Sequence, residues 1–112
     1  MDGILKKPDS EDAETAQAAA RFLKVLGNPS RVRLLLELVR APQQVGDLEA
    51  ALGLSQAHVS QQLARLRAEG IVIGERSGRA VLYRIVDARV EPVLDSLYRF
   101  RTAEGAGRVD RN

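Results

Sequence analysis

Cysteine and tryptophan are absent from this 112-residue sequence, and two tyrosines and two phenylalanines are its only aromatic residues. Without cysteine there can be no disulfide, no zinc-thiolate site, no iron-sulfur cluster and no thiol nucleophile or redox sensor. The same absence points to a cytoplasmic setting. Histidine is nearly missing as well, since His58 stands alone. Around one histidine no Ser/His/Asp order can be assembled, and neither paired catalytic carboxylates nor a phosphate loop is present, so the sequence reads as a non-enzyme without a cofactor. Long apolar runs are also lacking. The opening MDGILKKPDSEDAE is too polar for a signal peptide, and nothing approaches the roughly 18 apolar residues of a membrane span. A soluble protein with no membrane partner is expected.

What is present fits one small globular domain: 45% of the residues are hydrophobic and 29% charged. A chain this short buries only roughly two thirds of its unfolded surface, which makes self-association a source of further burial. The net charge of +2 is unevenly spread. The first fourteen residues hold Asp2, Asp9, Glu11, Asp12 and Glu14 against Lys6 and Lys7, whereas Arg65, Arg67, Arg76, Arg79 and Arg84 outnumber Glu69 and Glu75 in the middle. Apart from Lys6, Lys7 and Lys24, every cation is arginine. Its planar fork suits phosphates and base edges, although a G+C-rich genome would produce the same bias.

Residues 1–10 and 104–112 mix small, charged and turn-forming residues without periodicity and are expected to be disordered tails around a domain at 11–103. Ala16, Ala19, Ala20, Leu23 and Leu26 recur at helical spacing before Gly27, which predicts a first helix. Asn28 and Pro29 are N-cap and first-turn signals for a second, whose stripe of Val32, Leu35, Leu36 and Val39 is widened by Leu34 and Leu38. Pro42 ends it. Val45, Leu48 and Leu52 mark a short third helix closed by Gly53, and Ser55 can cap a fourth with Val59, Leu63 and Leu66 facing inward, stopped by Gly70. The period then changes: IVIGER and RAVLYRIV predict a two-stranded ribbon with Ser77-Gly78 as its turn. Val90, Val93, Leu94, Leu97 and Phe100 resume helical spacing behind Asp87, with Pro92 tolerable near the start.

Short helix, turn, helix with a one-sided apolar stripe, then a hairpin with arginines at its tip is the order of a winged helix-turn-helix. The fold class expected is therefore mainly α, with five helices and a two-stranded β-hairpin wing. At about 100° per residue, the outward face of the fourth helix centres on Ala57, Gln61, Ala64 and Ala68, flanked by Ser60 and Arg65, with Gln56 in the leading turn. Glutamine suits adenine, serine several bases and alanine a thymine methyl. A solvated amphipathic helix is the plainer reading of the same pattern. Arg76 and Arg79 are placed around the turn, where DNA phosphate would relieve their repulsion. A solvated hairpin tip is the alternative.

The run from Phe22 to Val86 resembles the ArsR/SmtB family of bacterial winged-helix repressors. The resemblance rests on LGNPSRVRLLLEL (26–38), VGDLEAALGLSQAHVSQQLARLRAEGIV (45–72) and the wing GERSGRAVLYRI (74–85). It implies DNA-reading positions at Gln56, Ala57, Ser60 and Gln61, and a homodimer through the first and last helices. Ala16, Ala20, Leu23, Leu94, Leu97 and Phe100 are the expected interface, because they exceed the apolar surface one winged domain can cover.

Many family members sense metals, yet the resemblance puts Gln44 and Gly46 at the Cys-x-Cys positions, and Arg89, Phe100 and Ala103 after Asp87 where ligands would follow. No metal site is expected. His58 reads as a polar flank residue, and Asp9, Glu11, Asp12 and Glu14 as ordinary acids at a helix start rather than a hard-cation site. An organic ligand, a protein partner or no signal at all remain open. The leading expectation is a dimeric, sequence-specific regulator of double-stranded DNA that represses by occluding a promoter at an inverted repeat. A winged-helix protein-interaction module and a nonspecific nucleoid-type DNA binder are the alternatives.

Overall fold

The computed structural model describes residues 10–102, so the expected tails lie outside it except for Ser10, which opens the first helix one residue ahead of the expected domain boundary. Helix α1 (Ser10–Leu26) leads directly into α2 (Pro29–Arg40). The Asn28 side chain accepts from the Arg31 backbone N–H at 3.1 Å, with Pro29 in the first turn, as the capping signals predict. The α2 helix stops at Arg40 because Ala41, preceding Pro42, is extended at φ −175°, the conformation a following proline enforces. Helix α3 (Val45–Leu52) closes on Gly53, whose φ of +69° is the left-handed value that favours glycine. Ser55 then caps α4 (Gln56–Ala68) by accepting from the His58 N–H at 3.1 Å. Past Gly70, the N–H of Ile71 returns to the Leu66 carbonyl at 2.9 Å and turns the chain into the wing.

The wing pairs β1 (Val72–Ser77) antiparallel with β2 (Ala80–Ile85), Val72 opposite Ile85 and Ser77 opposite Ala80. Its turn is Gly78-Arg79, one residue beyond the expected Ser77-Gly78. The physical reason lies in the register. A turn on Ser77-Gly78 would set Arg76 directly opposite Arg79, a destabilising like-charge pair, whereas the observed register places Arg76 opposite Val81. Gly78 takes φ +65° at the first central position, as a tight hairpin of the II′ kind requires. Gln43 adds one bridge to Tyr83, its N–H and carbonyl both bonded to that residue at 3.1 and 2.8 Å, and so anchors the ribbon to the bundle. Helix α5 (Val90–Thr102) follows a turn in which the Asp87 carboxylate accepts from the Arg89 N–H at 2.9 Å.

The core is wholly apolar among the described residues and is centred on Leu34, Leu35 and Leu38 of α2. Val32, Leu36 and Val39, expected at the heart of that stripe, are only half-buried at its edge. The first helix differs more. Phe22, Val25 and Leu26 form its buried face, whereas Ala16, Ala19, Ala20 and Leu23 are exposed. Helix α1 thus carries two apolar faces, and the sequence periodicity traced mainly the outer one. In α4 the expected inward set is the observed one, with Val59, Leu63 and Leu66 at 2% exposure or less.

Candidate nucleic-acid interface

Helix α4 is held by that narrow apolar seam, which leaves the opposite face to solvent. Gln56, Ala57, Ser60, Gln61, Ala64, Arg65 and Ala68 are all exposed. The sequence therefore located the outward face correctly. Arg65 differs from the other positions because Glu69 holds it at 3.6 Å, one helical turn on. It presents a partly neutralised charge, although the pair is long and engages only Nε, which leaves the terminal guanidinium nitrogens for another acceptor.

The flank of α4 nearest α2 carries Gln62, which the sequence reading did not single out. Arg31 of α2 donates through a terminal guanidinium nitrogen to Gln62 Oε1 at 3.0 Å and through Nε to the Val25 carbonyl at 2.7 Å. Burial, then the nearby Arg65, pull the Arg31 pKa below its ordinary value, with Glu69 opposing them. Arg33, two residues on, donates to the Leu52 carbonyl at 3.1 Å and ties the end of α3 to α2. Side-chain bonds from α2 thereby reach both helices of the helix-turn-helix unit. A long-range arginine-to-carbonyl bond has no local sequence signal, which is why periodicity missed it.

On the wing, Arg84 grips Glu75 through two bonds of 3.0 and 3.2 Å. Each bond favours the charged form of its partner, lowering the Glu75 pKa and raising that of Arg84. Arg84 is accordingly spent on the ribbon. Arg76 and Arg79 are exposed and form no ion pair among the described residues, so the wing tip carries uncompensated positive charge.

The positions where a metal site was considered are occupied by other contacts. The Gln44 N–H donates to the Asp47 carboxylate at 3.1 Å at the start of α3, and Gly46 is helical. The Asp87 carboxylate receives two bonds from the Arg89 guanidinium, at 3.0 and 2.7 Å, and that guanidinium lies 4.2 Å from the centroid of the Phe22 ring. These bonds hold the Asp87 pKa below the usual carboxylate value and raise that of Arg89, with burial opposing both. His58 is half-buried on the α4 flank. Among the described residues no group of three or more His, Asp or Glu side chains is arranged to hold a metal ion; Asp9 and Ala103 lie outside them.

Of the expected interface residues, Leu23, Leu97 and Phe100 are exposed by 58%, 58% and 76%, and Ala16 and Ala20 are exposed too. Leu94 is a correction. It is 3% exposed and belongs to the chain's own core, because it shares the inward face of α5 with Val90. Tyr98, 55% exposed, stands beside it on the outer part of the helix. No described helix is long and apolar enough to cross a membrane.

Comparison with known proteins agrees with this geometry. The sequence model of the bacterial regulatory protein, arsR family, matches residues 28–73, which run from the α2 cap into the first wing strand. The HTH-type transcriptional regulator NmtR of Mycobacterium tuberculosis is 40% identical over 84 residues, covering 75% of this chain and 70% of that protein. The crystal structure of the transcriptional repressor BigR from Xylella fastidiosa superposes with a TM-score of 0.74 at 36% identity, covering 82% of this chain and 95% of that one. That of AntR, an antimony-specific transcriptional repressor, gives 0.77 at 36% identity over 94% and 96%. The chain belongs to the ArsR/SmtB family of winged helix-turn-helix, DNA-binding transcriptional regulators.

Proposed function

We propose that the protein is a homodimeric repressor that occludes a promoter at an inverted-repeat operator, without a metal or thiol signal. The observation that carries this reading is the pairing of a base-competent outward face on α4 with two uncompensated wing arginines beside it. Gln56, Ala57, Ser60 and Gln61 read base edges in the major groove. Arg76 and Arg79 contact phosphate or the narrow minor groove, with Arg65 joining through its terminal guanidinium nitrogens. Repression is favoured by the relatives, since BigR and AntR are both transcriptional repressors.

Among the described residues no cluster of ligands supports metal sensing. The chain has no cysteine, and Asp87 is already satisfied by Arg89. Chelators, zinc, cadmium or arsenite should change operator affinity by less than about tenfold, ~1.4 kcal/mol. A larger change would refute the metal-free reading.

Readout and positioning separate by mutation. On an inverted repeat selected from random-sequence DNA, Gln61→Ala should cost about 1–3 kcal/mol while barely altering random-DNA affinity. Arg79→Ala should weaken binding to every sequence and reduce the salt slope by about one phosphate's worth. Salt-independent binding would favour a protein-interaction module, and absence of any preferred site a nucleoid-type binder. If Gln61→Ala kept the preference while Arg79→Ala changed the preferred bases, α4 would not be the reader.

A further inference from the structure

Arg31 lies on neither surface discussed above, yet it joins the helices that carry them. Its Nε meets the Val25 carbonyl at 2.7 Å, in the last turn of α1. Carbonyls there have no intrahelical partner, so this bond satisfies a group that would otherwise need water. Its terminal nitrogen meets Gln62 Oε1 at 3.0 Å, midway along α4. Its own backbone N–H is fixed by the Asn28 cap at 3.1 Å, which leaves the side chain starting from a set point. Three residues before Val25, Phe22 is buried, and Leu23 on the same helix is 58% exposed. One planar fork thus spans from the helix bearing the exposed apolar face to the helix bearing the exposed glutamines. The packing residues of α4, Val59, Leu63 and Leu66, are apolar and fix the depth of the helix in the core more sharply than its rotation, because dispersion has little directionality. The Gln62 bond lies to one side of that seam and opposes rotation.

We propose that Arg31 is a positioning residue for DNA recognition, setting the angle between α1 and α4 and with it the separation at which a dimer presents its two reading helices. The inference rests on the reading of α4 as the DNA-reading helix of a dimer. Helices set into successive major grooves must match a spacing of about 34 Å, and an error in angle enters twice, once from each protomer. Loss of the fork therefore loosens the choice of half-site spacing more than it weakens contact with DNA as such. Gln62, although unlike Gln61 in facing the protein, acts in the same function through Arg31.

The test uses the full chain and a set of duplexes: an inverted repeat selected by the wild-type protein from a random pool, and versions with the spacer lengthened or shortened by one or two base pairs. Wild-type affinity should fall with each spacer change. In Arg31→Met and in Gln62→Leu the selected site should lose roughly tenfold, as for one charge-assisted bond, while the altered spacers lose less and the profile flattens. Random-DNA affinity, its salt slope and the dimerisation constant should be unchanged. Gln62→Glu, which keeps an acceptor, should retain the wild-type profile, and the Arg31→Met/Gln62→Leu double variant should be no flatter than either single one. Should Arg31→Met fail to fold, Gln62→Leu decides, since it leaves the Val25 carbonyl bonded. A spacer profile in Gln62→Leu as steep as the wild type's would overturn the proposal while leaving α4 as reader. If the wild-type protein itself selected no inverted repeat, the dimeric reading would fail, and this inference with it.

Discussion

Asp87 illustrates how one side chain can be legible in part. Its position before a helical stripe marks it as a cap, and it does accept from the Arg89 N–H at 2.9 Å. The second half of its role, a two-bond grip on the Arg89 guanidinium that also covers the Phe22 ring, joins the entrance of α5 to α1 through a ring whose place in space the sequence does not specify. The pairing has a thermodynamic consequence. Arg89 stabilises the ionised carboxylate, so the Asp87 pKa lies below its unfolded value. The stabilisation is complete above the usual aspartate range, near pH 4, and is lost as the pH falls through the lowered value. Asp87→Asn should therefore lower the melting temperature at pH 7, and the difference from wild type should close as the pH falls below the lowered Asp87 pKa. A difference that persisted undiminished in acid would assign the effect to the cap geometry instead of the charge.

At the scale of elements, the wing depends on a contact no periodicity reveals. A Cβ added to Gly74 would lie 2.9 Å from Tyr83 Cε2 and 3.1 Å from Val81 Cγ1. Tyr83 cannot easily give way, because its backbone is bonded to Gln43 on the far side. Gly74→Ala should destabilise the protein by about 1–3 kcal/mol through overpacking and loosen the wing before the bundle. By contrast Gly46, helical and with nothing within 4 Å of an added Cβ, should accept alanine with a gain of about 0.4–1 kcal/mol. Denaturant melts of the two variants check both signs. The order of elements, the caps at Asn28 and Ser55, and the seam of α4 were readable because each is written within a few neighbouring residues. The turn was misplaced by one residue because its register depends on cross-strand charge, here Arg76 against Val81. The two faces of α1 were conflated because Leu26 belongs to the inner face while matching the spacing of the outer one. Candidate reading positions on α4 were legible through the same seam, whereas Gln62 was not, since its partner lies 31 residues away.

For the whole molecule, the exposed Leu23, Leu97, Tyr98 and Phe100 are apolar surface that the chain's own fold leaves in water. Full burial of one such aliphatic or aromatic side chain is worth about 1.5–3 kcal/mol, and a two-fold interface gains each contact twice. The homodimer proposed above would cover this surface by a symmetric pairing through α1 and α5, against a translational and rotational cost of roughly 4–15 kcal/mol. Leu94 contributes to such a pairing only from beneath, by seating α5 on the core. Sedimentation should therefore find a dimer for the wild-type chain and mainly monomer for Leu97→Glu, because an unpaired carboxylate in the interface would have to be desolvated. Since Leu97 lies outside the buried core, that variant should still fold cooperatively, its thermal transition lowered only by the stabilisation the dimer supplied, and should keep its weak, salt-dependent affinity for random DNA. Its affinity for an inverted repeat should collapse toward that of a single half-site, as only a dimer holds two α4 helices at once. A wild-type chain that sedimented solely as monomer at micromolar concentration would remove the dimer and, with it, the reason to expect a palindromic operator.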